Sequence, residues 1–347
     1  MLEEFFIDSG RNRVKPLYGT MNFAKSFPAV ISPATDISGE DDIDLKKENY
    51  LWIKNGADEF FIGDLALEYG GNLLQDRSQD KTSSINIKLI LAAISQYVTP
   101  GATVDLYTNC PVRDLKSQKV DFAGCFKKKN FVITHKAGRR KGMAVDFYIS
   151  NTTILPEHVA SFYGWAYNDK LEKFRSEYFE GDTLVLDGGD QTFGYAVFRD
   201  GQRRPEECGT TDEGYHKAIQ QIIDWLDGQG VHKTQAEFND YFLKRKPIFI
   251  GKTAYDCREL ISQYEPAMYE STYSDLSGKF NGFKRFRNIL CGGGTGHKYA
   301  TIFHDRLGKI CNIDVPDPED AIWLNVRGFR IMKRLANIAL IAQRETR

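Results

Sequence analysis

The sequence lacks an excess of charge of either sign. It has 46 Lys and Arg residues against 47 Asp and Glu residues, a formal net charge of −1. No overall field therefore attracts nucleic acid or an anionic membrane, and such a partner would need a local patch. The sequence also lacks an apolar run long enough for a signal peptide or a membrane span. We therefore expect a soluble, cytoplasmic protein that does not bind a membrane directly.

Cysteine is sparse, and no low-complexity tract is present. The six cysteines form no C-x-x-C pair and lie mostly among apolar neighbours. From this scattered spacing we predict buried, reduced thiols. A G-x-G-x-x-G turn after an N-terminal strand is also missing, which argues against a dinucleotide-binding fold.

The chain does contain enough apolar material for two domains. It has 347 residues, of which 41% are hydrophobic and 13% aromatic, whereas one domain usually holds about 100–200 residues. Hydrophobic patterns predict strands and helices along the whole chain. The predicted strands are 2–7, 50–54, 59–63, 103–108, 131–134, 143–149, 183–187, 193–199, 246–250 and 288–291. The predicted helices begin after Gly63, at Ser84 as N-cap (to 98), near 156, over 215–227 and in the C-terminal segment.

A strand that ends in an Asp-x-Gly turn occurs twice, over 2–15 and again over 183–199, as a duplicated domain would show. In the first copy, Asp8 is followed by Gly10, which lets a phosphate approach the backbone, and Lys15 returns on the second strand to add a positive charge. Asp-Ser-Gly is also a common turn, so this copy alone is weak evidence.

The second copy is Asp187-Gly188-Gly189 followed by Thr192. Two glycines expose backbone amides to a second phosphate contact, and the carboxylate suits the water shell of Mg²⁺. A tight hairpin turn is the alternative interpretation. A third turn, Gly292-Gly293-Gly294, follows an apolar run and would let a flat adenosine lie against bare backbone.

In this order, the three turns resemble the phosphate-1, phosphate-2 and adenosine elements of the actin, Hsp70 and sugar-kinase ATPase superfamily. The segments 59–66 (EFFIGDLA) and 316–329 (PDPEDAIWLNVRGF) resemble further elements of the prokaryotic plasmid actins related to ParM. The resemblance covers almost the whole chain. It implies an α/β, ribonuclease H-like fold with two duplicated domains around a nucleotide cleft: domain I at 1–182 and 317–347, and domain II at 183–316.

The resemblance also implies roles for individual residues. It makes Asp8 and Asp187 carboxylates that bind Mg²⁺ through water, and Glu157 the residue that orients the attacking water. Asp187 and Glu157 are thus the catalytic candidates, although Glu157 could simply be a carboxylate that stabilises a helix start. The implied nucleotide-binding residues are Asp8, Gly10, Asn12, Lys15, Gly188, Gly189, Gln191, Thr192, Gly292, Gly293, Gly294 and Thr295.

The function implied by the resemblance is an ATPase that forms polar filaments by self-association. Its cofactors would be ATP or ADP, with GTP as the alternative, and Mg²⁺. Plasmid actins are expected to segregate DNA through an adaptor protein, so we do not expect direct nucleic-acid binding. Two alternatives stay open. One is a small-molecule kinase of the same superfamily, and the other is a filament that does not hydrolyse ATP, because Asp190 puts an acid near the phosphates.

Two charged segments suggest how filament subunits could attract each other. One is an acidic loop over 36–44, and the other is a basic segment over 127–141. If both lay at opposite poles of domain I, their attraction would steer addition of subunits. A solvated hairpin is the alternative interpretation of the basic segment.

Overall fold

The computed structural model describes residues 1–19, 25–37, 44–70, 74–75, 80–189, 192–211 and 214–345. It divides into two compact units. Unit 1 comprises Met1–Cys110 and Asp114–Pro156, and unit 2 comprises Pro111–Arg113 and Glu157–Arg347. The mixed α/β architecture predicted from the sequence is confirmed.

Unit 1 is built on one ten-stranded mixed sheet, ordered β3-β2-β1-β8-β10-β9-β5-β6-β4-β7. Its strands are β1 (Leu2–Ser9), β2 (Arg13–Tyr18), β3 (Phe27–Pro28), β4 (Val30–Pro33), β5 (Leu51–Asn55), β6 (Asp58–Ile62), β7 (Leu74–Gln75), β8 (Ala102–Cys110), β9 (Lys129–His135) and β10 (Ala144–Pro156). Its helices are α1 (Asp64–Tyr69), α2 (Ser84–Ser95) and α3 (Leu115–Phe126). β1 is buried along most of its length because its apolar run lies between β2 and β8.

Unit 2 has a second mixed sheet ordered β13-β12-β11-β17-β18, in which β14 also pairs with β12, and a separate β15-β16 hairpin. Its strands are β11 (Asp182–Gly188), β12 (Phe193–Arg199), β13 (Gln202–Arg203), β14 (Gly209–Thr211), β15 (Ile248–Ile250), β16 (Thr253–Tyr255), β17 (Phe286–Gly292) and β18 (Asn312–Asp314). Its helices are α4 (Glu157–Ala166), α5 (His216–Gly228), α6 (Gln235–Leu243), α7 (Cys257–Lys279), α8 (Gly296–Leu307), α9 (Pro318–Ala321) and α10 (Leu324–Glu345). Short 3₁₀ turns lie at Ser176–Phe179, Pro205–Glu207 and Asn281–Phe283.

The two compact units have different limits from the two predicted domains. Residues 157–182 and 317–347, which the sequence assigns to domain I, lie in unit 2. The reason is a shared apolar cluster: Val159 and Phe162 of α4 pack with Val185 of β11 and Leu324 of α10. These residues therefore join α4 and α10 to the sheet of unit 2.

Helices α4 and α10 cross at two glycines. A Cβ atom on Gly164 would overlap the carbonyl oxygen of Leu324, and a Cβ atom on Gly328 would overlap the carbonyl oxygen of Ala160. Only glycine lets the two backbones come this close. Near this crossing, Leu324 and Ile331 of α10 are buried, whereas Ile338, farther along the helix, is exposed.

We expect Gly328→Ala to lower the free energy of unfolding by about 2–3 kcal/mol, because a methyl group forced into a packed contact must move a helix. Urea denaturation at neutral pH measures this change. Gly278→Ala is the matched control, since a Cβ atom at this position of α7 meets nothing within 4 Å. The control should gain up to about 1 kcal/mol from helix propensity. Equal stability of the two variants would contradict the close crossing.

Several sequence predictions need correction. The N-cap of α2 is Ser83, whose side chain accepts the N–H of Asn86, and not Ser84. β10 runs on to Pro156, well past the predicted end at 149. Helices α3, α6, α7 and α8 were not predicted; α3 and α7 have mixed polar and apolar surfaces without one clear stripe. All six cysteines are free, with four buried and Cys125 and Cys208 partly exposed.

The described ends of the acidic loop lie beside the 136–141 end of the basic segment. Asp36 begins the acidic loop and Leu45 directly follows it. Both line one cavity of about 560 Å³ in unit 1, together with Lys136 and Lys141. The N–H of Gly138 also donates to the carbonyl oxygen of Leu45, at 2.8 Å. Opposite poles therefore do not describe these parts of the two segments, and the proposed attraction between them in a filament stays a prediction. Residues 38–43 themselves lie outside the described residues.

No helix in the described part of the chain is both long and apolar enough to cross a membrane.

Candidate functional site

The phosphate-1 turn of unit 1 connects the antiparallel strands β1 and β2. Asp8 and Lys15 are cross-strand neighbours, and their carboxylate and ammonium lie 2.6 Å apart. Both side chains are largely buried, at 4% and 15% exposure. A Cβ atom on Gly10 would lie 2.9 Å from the carbonyl oxygen of Arg13, so the tight turn favours glycine. Asn12 ends the turn, and its carbonyl oxygen accepts the N–H of Ala29.

Asn109, at the end of the neighbouring strand β8, connects to this turn. Its amide nitrogen donates to Asp8 Oδ1 at 2.9 Å, and its amide oxygen accepts the backbone N–H of Ser9 at 3.0 Å. Asn109 was not among the residues predicted from the sequence. A polar pair, Thr108-Asn109, at the end of a buried strand was the available signal.

The phosphate-2 turn of unit 2 connects β11 and β12 in the predicted hairpin. Asp187 pairs with Gly194 and Gly188 with Phe193. The N–H of Gly189 donates to the carbonyl oxygen of Thr192 at 3.0 Å, which closes the turn. Asp190, the acid expected near the phosphates, and Gln191, an implied nucleotide-binding residue, lie outside the described residues.

Two side chains from the crossed helices hold the carboxylate of Asp187. Asn325 of α10 donates its amide to Asp187 Oδ2 at 2.8 Å, and the hydroxyl of Ser161 in α4 lies 3.4 Å from the same oxygen. Ser161 also donates to Asn325 Oδ1 at 2.9 Å. Asn325 belongs to the late motif quoted from the sequence, but its contact with Asp187 was not predicted.

Glu157 is the first residue of α4, one helical turn before Ser161. Residues four apart lie on the same helix face, and Ser161 faces Asp187. The helix therefore directs Glu157 toward the side on which the phosphate-2 turn lies. The predicted start of a helix near Pro156-Glu157 is confirmed.

The adenosine loop follows β17, which runs parallel to β11 with Gly292 beside Asp187. Gly293 has a φ of +79°, and a Cβ atom on it would overlap the Asp187 carboxylate. The N–H of Thr295 lies 3.3 Å from the carbonyl oxygen of Gly188. The phosphate-2 turn and the adenosine loop are therefore in direct contact. Gly294 is exposed, and a Cβ atom there would meet nothing within 4 Å.

A polar cluster lies beside these two loops. Lys298 of α8 contacts the largely buried Glu265 of α7 at 2.7 Å and donates to the hydroxyl of Tyr215 at 2.8 Å. The N–H of Tyr215 lies 3.4 Å from the carbonyl oxygen of Gly189. The hydroxyl of Tyr299, one turn along from Thr295, lies 3.0 Å from the carbonyl oxygen of Leu186 and 2.7 Å from that of Gly292. None of these residues was singled out from the sequence, because nothing in their spacing marks them.

His158 follows Glu157 but is fully buried against Gly194, whose missing side chain makes room for the imidazole. Burial, and then the positive charge of Arg203, lower the pKa of His158 to about 3. In unit 1, burial and Arg140 lower the pKa of His135 to about 4. Both histidines are therefore neutral at physiological pH and have no role as acids there.

The lowered pKa values of these two histidines predict that the free energy of unfolding falls in mild acid. Their pKa values are lower in the folded chain than the unfolded value of about 6.5, so protons bind the unfolded chain first. The stabilisation is complete above pH 6.5 and is lost as the pH falls toward 3 to 4. At pH 5 we expect each histidine to lower the free energy of unfolding by about 2 kcal/mol relative to neutral pH. Urea denaturation from pH 7.5 to 5 tests this. His158→Gln should flatten part of the slope, and an unchanged slope would contradict the prediction.

Comparison with known proteins agrees with this geometry. Residues 7–159 match the family described as the actin-like protein N-terminal domain. The archaeal actin homolog Ta0583 shares the fold with a TM-score of 0.75 at 14% identity, over 96% of this chain and 99% of that one. The chain has the actin-like fold. The predicted resemblance to actin-like proteins is therefore confirmed at the level of the fold.

Two ParM structures are also similar to this chain in fold. A ParM from a 15-stranded filament of Clostridium botulinum gives a TM-score of 0.71 at 17% identity, over 94% of this chain and 97% of that one. Bacillus thuringiensis ParM with AMPPNP gives 0.63 at 14% identity, over 97% and 99%. Ta0583 also has a structure in complex with ADP. A search of curated proteins gives no sequence match. At these identities the likeness shows the fold.

Proposed function

We propose that this actin-like chain binds ATP with Mg²⁺, assembles into polar filaments and hydrolyses ATP during assembly. One observation carries the proposal: in each unit, an aspartate at the end of a strand lies before a glycine turn and accepts a side-chain amide. In unit 1, Asp8 lies before a glycine turn and accepts the amide of Asn109 at 2.9 Å. In unit 2, Asp187 lies before a glycine turn and accepts the amide of Asn325 at 2.8 Å. A fold that binds phosphates with two equivalent turns would contain such a feature in each half.

The donor atoms at these turns suit Mg²⁺. Each turn has one carboxylate, Asp8 or Asp187, whose oxygens are hard ligands. Among the described residues, neither turn supplies a complete set of protein ligands for a metal ion. Mg²⁺ keeps several of its waters and binds proteins through one or two carboxylates. Asp8 and Asp187 would hold the ion through those waters. Bound Mg²⁺ would neutralise charge on the phosphate oxygens.

The backbone and cations of the turns would position the phosphates. Gly10 and Asn12 would present the phosphate-1 backbone, and Lys15 would add its ammonium, which already reaches the Asp8 carboxylate. Gly188, Gly189 and Thr192 would supply the phosphate-2 contact, as would Gln191, which lies outside the described residues. The adenosine loop, Gly292 to Thr295, would face the nucleoside. Positioning and charge stabilisation are most of what phosphoryl transfer requires.

Glu157 would hold the attacking water. Its place at the start of α4, one turn before the residue that contacts Asp187, supports this role. A carboxylate that orients water and accepts its proton contributes typically 10²–10⁴ to the rate.

We further propose that the filament acts in the cytoplasm and moves or segregates DNA through an adaptor protein. The fold shared with the C. botulinum ParM filament supports self-association. A filament that does not hydrolyse ATP is the second candidate, because Asp190 follows directly on the phosphate-2 glycines.

Nucleotide titration tests the proposal. Isothermal calorimetry of the purified protein should show binding of ATP in the presence of Mg²⁺, and weaker binding when EDTA removes the ion. GTP in the same titration decides nucleotide preference. Light scattering recorded together with phosphate release should show assembly followed by hydrolysis. Assembly without phosphate release would favour the second candidate. Failure to bind any nucleoside triphosphate would refute the proposal.

A further inference from the structure

Lys81 is a buried lysine whose ammonium ends at the phosphate-1 turn. The residue is only 2% exposed. Its Nζ donates to the backbone carbonyl oxygen of Ser9 at 2.9 Å. Ser9 is the residue between Asp8 and Gly10. Burying an ammonium group is costly unless its hydrogen bonds repay the lost hydration, so the position of this charge calls for an explanation.

Two helices hold the backbone of Lys81 in place. Its N–H donates to the side-chain oxygen of Gln118 in α3 at 2.9 Å. Its carbonyl oxygen accepts the side-chain amide of Asn86 in α2 at 2.7 Å. The backbone of Lys81 is therefore held at two points, and this fixes the place from which its ammonium extends.

The contact with Ser9 fixes the orientation of a peptide group. In a trans peptide, the carbonyl of Ser9 and the N–H of Gly10 point in opposite directions, and the chain has no cis peptide bond among the described residues. Because Lys81 holds the carbonyl on one side, the Gly10 N–H points to the other side. Asn109 fixes the preceding peptide by accepting the Ser9 N–H at 3.0 Å.

We propose that Lys81 is a positioning residue for phosphate binding: it locks the Ser9–Gly10 peptide so that the Gly10 N–H faces a phosphate oxygen. This inference rests on the proposed function. It predicts that the lysine acts on the phosphate part of the nucleotide and has no effect on the nucleoside part. If Lys81 only filled space in unit 1, its loss would affect binding of the phosphate part and of the nucleoside part alike.

The test compares the affinities for ATP with Mg²⁺ and for adenosine, measured by competition against a fluorescent nucleotide. Lys81→Met removes the ammonium and keeps most of the side-chain volume. We expect it to raise the Kd for ATP by about tenfold or more, since a charge-assisted hydrogen bond and a preset donor are lost, and to leave the Kd for adenosine within twofold. Lys88→Met is the matched control, because Lys88 is a lysine of α2 that pairs with the exposed Asp58. The control should leave both affinities unchanged.

Lys81→Gln provides a second variant that keeps a hydrogen-bond donor without the charge, and an intermediate Kd for ATP is expected. If Lys81→Met does not fold, as judged by circular dichroism, Lys81→Gln alone decides. Equal weakening of ATP and adenosine, or unchanged ATP binding, would overturn the inference while the proposed function stands. Absence of ATP binding in the wild-type protein would instead refute the proposed function.

Discussion

Asp187→Ala is expected to weaken binding of ATP with Mg²⁺ by about tenfold to a hundredfold, because charged hydrogen bonds are worth about 1.5–3 kcal/mol each. The change removes the proposed ligand of metal-bound water. It also removes the acceptor for Asn325, which donates to Asp187 at 2.8 Å. We expect ATP hydrolysis to fall by a larger factor than binding. Calorimetry and a phosphate-release assay at saturating ATP measure the two effects separately.

Two further variants separate charge from packing. Asp187→Asn keeps the size of the side chain but removes its charge, so it should lose most of the Mg²⁺ dependence of ATP binding. Asp182→Ala is the matched control at the other end of the same strand, where the carboxylate pairs with Arg199 at 2.7 Å. The control should keep its ATP affinity. If Asp187→Ala binds and hydrolyses ATP like the wild type, Asp187 has no part in the site.

Glu157→Gln is expected to spare ATP binding and to slow hydrolysis by about 10²–10⁴. The amide keeps the shape of the carboxylate but cannot accept a proton from water. Because the variant still binds ATP, it should still assemble, and its filaments should persist longer. Single-turnover phosphate release together with light scattering shows both behaviours.

The control for Glu157 is Glu172→Gln, which changes an exposed carboxylate in the loop after α4. Its turnover should equal that of the wild type. An unaltered turnover in Glu157→Gln would remove Glu157 from the mechanism and leave it as a carboxylate that stabilises the start of α4.

Local sequence patterns were sufficient for the elements that carry their own signals. The hairpin of β11 and β12 follows from an apolar run, a glycine turn and a second apolar run. Glycine turns after strands also marked all three candidate nucleotide contacts. These features depend on neighbours in the chain, so they can be predicted without knowing the fold.

The residues that support those turns could not be predicted in this way. Asn109, Lys81 and Asn325 reach their partners from positions 72 to 138 residues away in the sequence. Nothing in a local pattern distinguishes a buried asparagine that holds a carboxylate from one on the surface. Gly328 is a similar case, because glycine is required there by the close backbone of Ala160 on another helix. The limits of the compact units differ from the predicted domains for the same reason.

Electron microscopy of the purified protein tests the central claim most directly. Samples with Mg²⁺ and ATP, with Mg²⁺ and ADP, and without nucleotide are compared at the same protein concentration and ionic strength. We predict abundant filaments with ATP, few or none without nucleotide, and stable ATP filaments in Glu157→Gln. A wild-type protein that binds ATP but stays monomeric under all three conditions would contradict the account and favour a kinase.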